Sequence, residues 1–364
     1  KQFSLGELYD NFTTSKEKKY LGQVYTPKDI VIDMVDENIK GEDIIQNPCF
    51  RIIDPACGGG YFLLESYKKI KKIIHQNYDR IIDRNKHIEK ELEKGVHKFI
   101  LKNNIWGTDI DEFAVYMTKF SLIIKGDIED IQVNIFKDDL LISEGESLNN
   151  TFDLVLCNPP YIGHKKIDTS YRKALEQKYS DVYSDKADIS YCFFKKGYEL
   201  LKDGGNISVI TSRYFQEALS GKGLRRYIKE KFKINKIIDF YGETVFKGIG
   251  ISPVIIHSTK DNSINNEITV YKQTKRFAMY QDELLDDGWI LLSSDEKKLF
   301  NKINSSGNLK LEDISVFNQG IITGCDKAFI VSETEVNDKQ IEKDLIKPWI
   351  KNSDVKPYEI RHQD

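Results

Sequence analysis

The sequence predicts an α/β fold, an open and mostly parallel sheet with helices on both faces, followed by the start of a second domain. Three observations point there. Four short apolar runs, at residues 50–54, 104–109, 152–158 and 206–211, have the length and continuity of buried parallel strands. Stretches with helical spacing lie between them. Each run ends at a turn rich in Gly, Asp or Pro, the place where open α/β sheets carry their ligands.

The elements follow in chain order. Ile30, Val31, Met34, Val35 and Ile39 share one helical face over residues 29–40. Residues 66–102 are charged and punctuated by Ile, predicting helix with a break at Gly95. Residues 133–136 read as a further strand, and 187–201 as an amphipathic helix stopped by the turn Asp203-Gly204-Gly205. Residues 253–258 and 267–272 read as strands, the second bordering a connecting segment. Beyond about residue 265 the alternation loosens. The expected organisation is therefore a first domain at 1–265, a connecting segment at 266–305, and the beginning of a second domain at 306–364.

Composition sets outer limits. The 364 residues suit two domains, and no run approaches the ~18 apolar residues of a membrane span. KQFSLGELYDNF lacks the build of a secretory signal, so a cytoplasmic location is expected. The five cysteines form no CxxC pair and read as reduced, buried thiols, with no metal site implied. A net charge of −3 does not announce a nucleic-acid partner, but binding a polyanion needs only a local basic stripe. Lys165 with Lys166, Arg172 with Lys173, and the group Lys222, Arg225, Arg226, Lys229, Lys231 and Lys233 are the candidates, although charge runs are commonly just solvated faces.

The first strand runs into Asp54-Pro55-Ala56-Cys57-Gly58-Gly59-Gly60. Glycines permit a tight turn and close approach of a ligand. The spacing is not GxGxxG, and Asp54 would repel a pyrophosphate while suiting a positively charged methionine moiety. Asp109, ending the second strand, is placed to accept ribose hydroxyls, Ile110 to pack on an adenine face, and Asp139 beside Leu140 to accept from an adenine amino group. Any one of these acids alone could be a strand-end cap. Their order at successive strand ends points to S-adenosyl-L-methionine.

The strand at 152–157 leads into Asn158-Pro159-Pro160-Tyr161. The exocyclic nitrogen of adenine is a poor nucleophile because its lone pair is delocalised. The Asn158 amide oxygen and the Pro159 carbonyl are suited to accept its two N–H groups, directing the lone pair at a sulfonium methyl. Prolines stiffen the loop, so the acceptors are preorganised. Tyr161 offers a face for an extruded base, worth roughly 1–3 kcal/mol in stacking. This chemistry requires no metal.

These motifs, in this order, resemble the γ-class amino-methyltransferases of DNA, the TaqI-like enzymes, and within them the orphan clostridial adenine methyltransferases of the CamA type. The resemblance rests on Gly22-Gln23-Val24-Tyr25-Thr26-Pro27, the glycine loop, NPPYIGHKK, KADISYCFFKK, and Gln319-Gly320-Ile321-Ile322-Thr323-Gly324-Cys325-Asp326-Lys327-Ala328-Phe329. It implies a Rossmann-like class I methyltransferase sheet and methyl transfer to N6 of a flipped adenine in double-stranded DNA. The cofactor would be held by Tyr25, Thr26, Asp54, Ala56, Cys57, Gly58, Asp109, Ile110, Asp139 and Leu140, with Asn158 and Pro159 at its methyl end. It further implies base stacking by Phe246 within Gly242-Glu243-Thr244-Val245-Phe246, and phosphate contacts from His164, Lys165, Lys166, Lys222 and Arg225. Residues 306–364 would be the N-terminal part of a target-recognition domain that family members carry at greater length. The nuclease partner would be encoded elsewhere or lacking. Cytosine N4, a protein glutamine or an RNA base stay open as targets, because the same acceptors suit any planar amine or amide.

Overall fold

The computed structural model describes residues 25–126, 132–143, 146–184, 186–243, 245–246, 250–261, 265–307, 309–316, 318, 320 and 323–360. Its centre is a nine-stranded sheet in the order β3-β2-β1-β4-β5-β7-β6-β8-β9. The strands are β1 (Ile52–Asp54), β2 (Ile105–Asp109), β3 (Asn134–Lys137), β4 (Phe152–Cys157), β5 (Leu201–Ser212), β6 (Lys233–Asp239), β7 (Pro253–Thr259), β8 (Glu267–Lys272) and β9 (Lys275–Tyr280). β1 to β5 run parallel, and β7 is wedged antiparallel between β5 and β6. The helices used below are α1 (Lys28–Asn38), α2 (Tyr61–Gln76), α3 (Glu112–Ile123), α4 (Thr169–Lys178), α5 (Ser190–Leu200) and α6 (Lys222–Lys231).

Successive residues of the central strands feed two cores. Ile52, Leu154 and Leu156 join Val31, Met34, Leu63 and Ile70 of α1 and α2 on one face. Ile53, Val155 and Cys157 join Phe194 of α5 and Leu224 and Ile228 of α6 on the other. That two-sided burial explains why the strands read as mainly apolar runs rather than alternating ones. The turn after β1 depends on glycine at one position twice over. Gly60 has φ +76°, and a Cβ there would lie 2.7 Å from the Thr118 side chain of α3.

Several expectations change. Residues 266–305 are not a connecting segment throughout, because β8 and β9 extend the sheet and bury Ile268, Val270 and Met279. β5 begins at Leu201, directly after α5, so Asp203-Gly204-Gly205 lies inside a strand, where the β4–β5 register shifts between Phe152 and Leu154. The stretch 66–102 breaks at Asn77 and Asn85 as well as at Gly95, which has φ +122°. Cys325 is exposed, unlike the buried Cys57, Cys157 and Cys192. Among the described residues, no helix is long and apolar enough to cross a membrane, and no His/Cys/Asp/Glu group could hold a metal ion.

The chain divides into two compact units between Leu299 and Phe300. The second unit contains short helices at Asp326–Phe329 and Glu333–Asp338, the latter capped by Ser332, and a hairpin pairing Val355–Lys356 with Glu359–Ile360. Its side chains at Leu309, Leu311, Val316, Phe329 and Leu345 are exposed. Of the segment likened to the opening of a recognition domain, Gln319, Ile321 and Ile322 lie outside the described residues.

Candidate active site at the strand ends

The carboxyl ends of β1, β2 and β4 bring together residues far apart in sequence. Asp54, ending β1, is buried, and its Oδ1 accepts the Ala56 N–H at 3.1 Å. Burial, with Asp109 nearby, pushes its carboxyl up to about 8. Asp109, ending β2, accepts the Gly58 N–H through Oδ2 at 2.8 Å and the Asp111 N–H through Oδ1 at 2.9 Å. Burial raises its pKa too, against those backbone donors. Among the described residues, the main influences on both carboxyls are burial, backbone donors, a thiol and other carboxylates. Two buried acids so arranged favour a cationic ligand. Beside them Ile110 is 58% exposed, and the space where Gly58 would carry a Cβ is open. Ala56 and the buried Cys57 complete the turn, whose Cys57 N–H is bonded to the Thr108 carbonyl at 2.9 Å.

Asp139 is already engaged: Oδ1 accepts the Leu141 N–H at 3.1 Å, and Oδ2 accepts the Tyr171 hydroxyl of α4 at 2.7 Å. Tyr171 is a member of this rim that sequence reasoning missed, and no motif marks it. Leu140 is buried in the core beneath.

Asn158 follows β4 and is half-buried. Its Nδ2 donates to Thr26 Oγ1 at 2.8 Å, across 132 positions of sequence, and its Oδ1 accepts the Tyr161 hydroxyl at 2.7 Å. The Tyr161 hydroxyl also lies 3.2 Å from the Ile210 carbonyl of β5. Thr26 and Tyr161 thus hold the two ends of the amide and set which way its oxygen points. Tyr25 packs edge-on against Tyr61, ring centroids 4.8 Å apart, while Gly22, Gln23 and Val24 lie outside the described residues. Pro159 is buried and Pro160 half-buried.

The aromatic pair is closed. Tyr161 and Phe246 are 9% and 2% exposed, sit in one core cluster, and face each other at 6.3 Å between centroids, an ordinary ring contact. Neither presents an open face to a base; Thr244 of the same segment is outside the described residues.

The basic residues separate. His164, Lys165 and Lys166 form a single turn directly after the Asn158–Tyr161 loop, with Lys165 and Lys166 exposed. Lys222 is tied to Asp287 at 2.6 Å in the open. Arg225 is misplaced as a phosphate ligand. It is 1% exposed, and its guanidinium donates to the carbonyls of Phe215, of Ala218 at 2.8 Å and of Asp286 at 2.7 Å. The cause is helix phase, since Leu224, Arg225 and Ile228 share the inward face of α6.

Comparison with known proteins meets this geometry. Residues 103–246 match the model of the Eco57I restriction-modification methylase family, and residues 45–141 that of the MmeI DNA-methyltransferase domain. The chain is 25% identical to the type II restriction enzyme and methyltransferase RM.Eco57I of Escherichia coli, over 90% of its own length and 38% of the relative's. It is 22% identical to the type II methyltransferase M.BstVI of Geobacillus stearothermophilus, over 92% and 64% respectively. It thus spans less than two thirds of either relative. In fold it matches the type IIG restriction endonuclease BpuSI at a TM-score of 0.58, with 15% identity over 93% of this chain and 42% of that one. The type IIL enzyme MmeI in complex with DNA matches at 0.53, with 18% identity over 76% and 42%. The chain is therefore similar to methyltransferases of type II restriction-modification systems.

Proposed function

We propose that the chain is a DNA methyltransferase that uses S-adenosyl-L-methionine and modifies N6 of an adenine turned out of the duplex. One observation carries the reading: the Thr26–Asn158–Tyr161 hydrogen-bonded set stands at the end of β4, the strand beside β1, whose end carries the buried carboxyl of Asp54, with that of Asp109 at the end of β2. The acids suit a cationic methionine group, Asp109 has acceptor capacity left for ribose hydroxyls, and Ile110 supplies an apolar surface for a purine. Tyr25 and Thr26 would close the methionine side, and Asp139, shared with Tyr171, would border the adenine amino group. When bound, the cofactor supplies an electrophilic methyl on sulfur.

The chain's own part is to make an amino nitrogen nucleophilic. The Asn158 amide oxygen has two lone pairs, and Tyr161 takes one. On this reading the same oxygen accepts one N–H of the substrate amine, and the Pro159 carbonyl accepts the other. Accepting both protons draws the nitrogen toward tetrahedral geometry and restores its lone pair. Thr26 and Tyr161 fix the amide beforehand, so little reorganisation is needed at the moment of transfer. Entry of a base would require the Tyr161–Phe246 contact to part, each ring then taking one of its faces. Lys165, on the turn that follows the loop, is placed for a backbone phosphate.

The test is nucleoside mass spectrometry of unmethylated double-stranded DNA incubated with the protein and methyl-labelled cofactor. N6-methyladenine is expected. N4-methylcytosine would move the assignment to the other amino-bearing base, and unlabelled DNA beside labelled RNA or protein would overturn it.

A further inference from the structure

The glycine turn after β1 is gripped on both sides of one residue. The Gly58 N–H donates to Asp109 Oδ2 at 2.8 Å, and the Gly58 carbonyl accepts the Thr118 hydroxyl of α3 at 2.8 Å, across 60 positions of sequence. Thr118 is fully buried within α3. A threonine inside a helix often turns its hydroxyl back on its own helix, to the carbonyl four residues earlier. Here the hydroxyl reaches out of the helix and serves the turn. The same side chain fills the space that Gly60 leaves, since a Cβ there would lie 2.7 Å from both the Thr118 methyl carbon and its oxygen. One residue thus does two jobs: its hydroxyl fixes a peptide, and its methyl packs.

The fixed peptide matters through its geometry. A trans peptide points its C=O and N–H in opposite directions, so drawing the Gly58 carbonyl toward α3 turns the Gly59 N–H away from α3. Among the described residues, the turn's own hydrogen bonds use the N–H groups of Ala56, Cys57, Gly58 and Gly60, and leave that of Gly59 unused. Gly59 is buried, and buried N–H groups rarely lack an acceptor. A molecule held against the turn would supply one.

We infer that Thr118 is a positioning residue for cofactor capture, its hydroxyl setting the Gly58–Gly59 peptide so that the Gly59 N–H is presented to bound S-adenosyl-L-methionine. The inference rests on the methyltransferase reading.

Two substitutions in the full chain separate the bond from the packing. Thr118→Val keeps the branched shape against Gly60 and removes the donor. Thr118→Ser keeps the donor and removes the methyl. Three quantities are measured for each and for the wild type: affinity for S-adenosyl-L-methionine by titration calorimetry, the unfolding temperature, and the single-turnover rate on DNA at saturating cofactor. Thr118→Val is expected to weaken affinity about fivefold to fiftyfold, the range for a buried acceptor left without its partner, with the rate at saturating cofactor within twofold of the wild type. Thr118→Ser is expected to bind within twofold of the wild type, even though the lost methyl lowers its unfolding temperature. A Thr118→Val affinity within twofold of the wild type would overturn the inference. So would affinities that follow the unfolding temperature in both variants, the mark of packing alone. A wild type that takes up no cofactor sinks the parent reading and this one with it, whereas a wild type and a Thr118→Val that bind equally well sink this one alone.

Discussion

Asp54 makes cofactor capture, on the proposed reading, depend on pH. Its carboxyl is buried, receives one backbone donor, and has a pKa of about 8 against an ordinary 3.8. That gap is worth ~6 kcal/mol at 1.36 kcal/mol per tenfold. The unfolded chain ionises at the ordinary value, while the folded chain keeps the proton until about 8. This group's contribution to stability is therefore intact at low pH and is lost progressively as pH rises between those two values. A cationic ligand pulls the other way, because it binds the ionised form. At pH 7 about one folded molecule in ten has that form, and at pH 6 about one in a hundred. Cofactor affinity should rise about fiftyfold from pH 6 to pH 8, with nearly one proton released per molecule bound at pH 7. Titration calorimetry in two buffers of different ionisation enthalpy measures the affinity and the proton together. Asp54→Asn should flatten the profile and abolish the release. Affinity constant within threefold across that range, or the same slope in both proteins, would refute the reasoning.

Asn158→Ala should lower the single-turnover rate at least ~hundredfold while cofactor affinity measured by calorimetry stays within a few-fold, because a transition-state acceptor is lost. Tyr161→Phe keeps the ring and removes the hydroxyl's contacts with the amide at 2.7 Å and with the Ile210 carbonyl at 3.2 Å, so about a threefold to tenfold loss of rate is expected, with the fluorescence of a 2-aminopurine at the target position unchanged. Arg225→Met strands the carbonyls of Phe215, Ala218 and Asp286. It should cost ~2–5 kcal/mol in urea unfolding and leave the salt dependence of DNA binding unaltered, whereas a shallower salt slope at full stability would restore the phosphate role.

What was legible in the sequence is what burial or chemistry constrains tightly. β1, β2 and β4 are covered on both faces, so they read as mainly apolar runs, with Asp153 and Thr108 the polar exceptions before the strand ends, and the turns after them carry Asp, Gly and Pro for reasons a sequence displays. β6 was hidden because KINKIID mixes buried Ile with lysines that read as part of a basic cluster. In the fold Lys236 neutralises Glu37 at 2.6 Å and lies over the Tyr271 ring. Arg225 was misjudged by residue type, although the spacing of Leu224, Arg225 and Ile228 already placed it on the inner face. Pairings such as Tyr171 with Asp139 depend on how α4 lies across the end of the sheet, and no local pattern encodes that.

On the proposed reading, the placement of charge explains how an acidic chain serves a reaction between a cationic cofactor and an anionic polymer. The acids at the ends of β1 and β2 are buried, where a low dielectric magnifies their pull on a cation within a few ångströms. The basic turn at His164–Lys166 lies past the end of β4, the strand beside β1, and is solvent-facing. There water and salt screen the repulsion that buried carboxylates would otherwise exert on phosphate. Strand spacing is about 4.8 Å, so burial more than distance keeps the two fields apart. A net charge of −3 is then no obstacle to a DNA substrate, because the negative charge nearest the reaction is either inside the fold, protonated, or matched to the cofactor. The same logic makes Lys165→Glu a sharper probe of the substrate than any change in net charge. It reverses the sign at one exposed point beside the loop, and should weaken DNA binding and reduce its salt slope by about one while calorimetry finds cofactor affinity unchanged. Equal losses in both affinities would mean that the turn shapes the pocket instead of meeting phosphate.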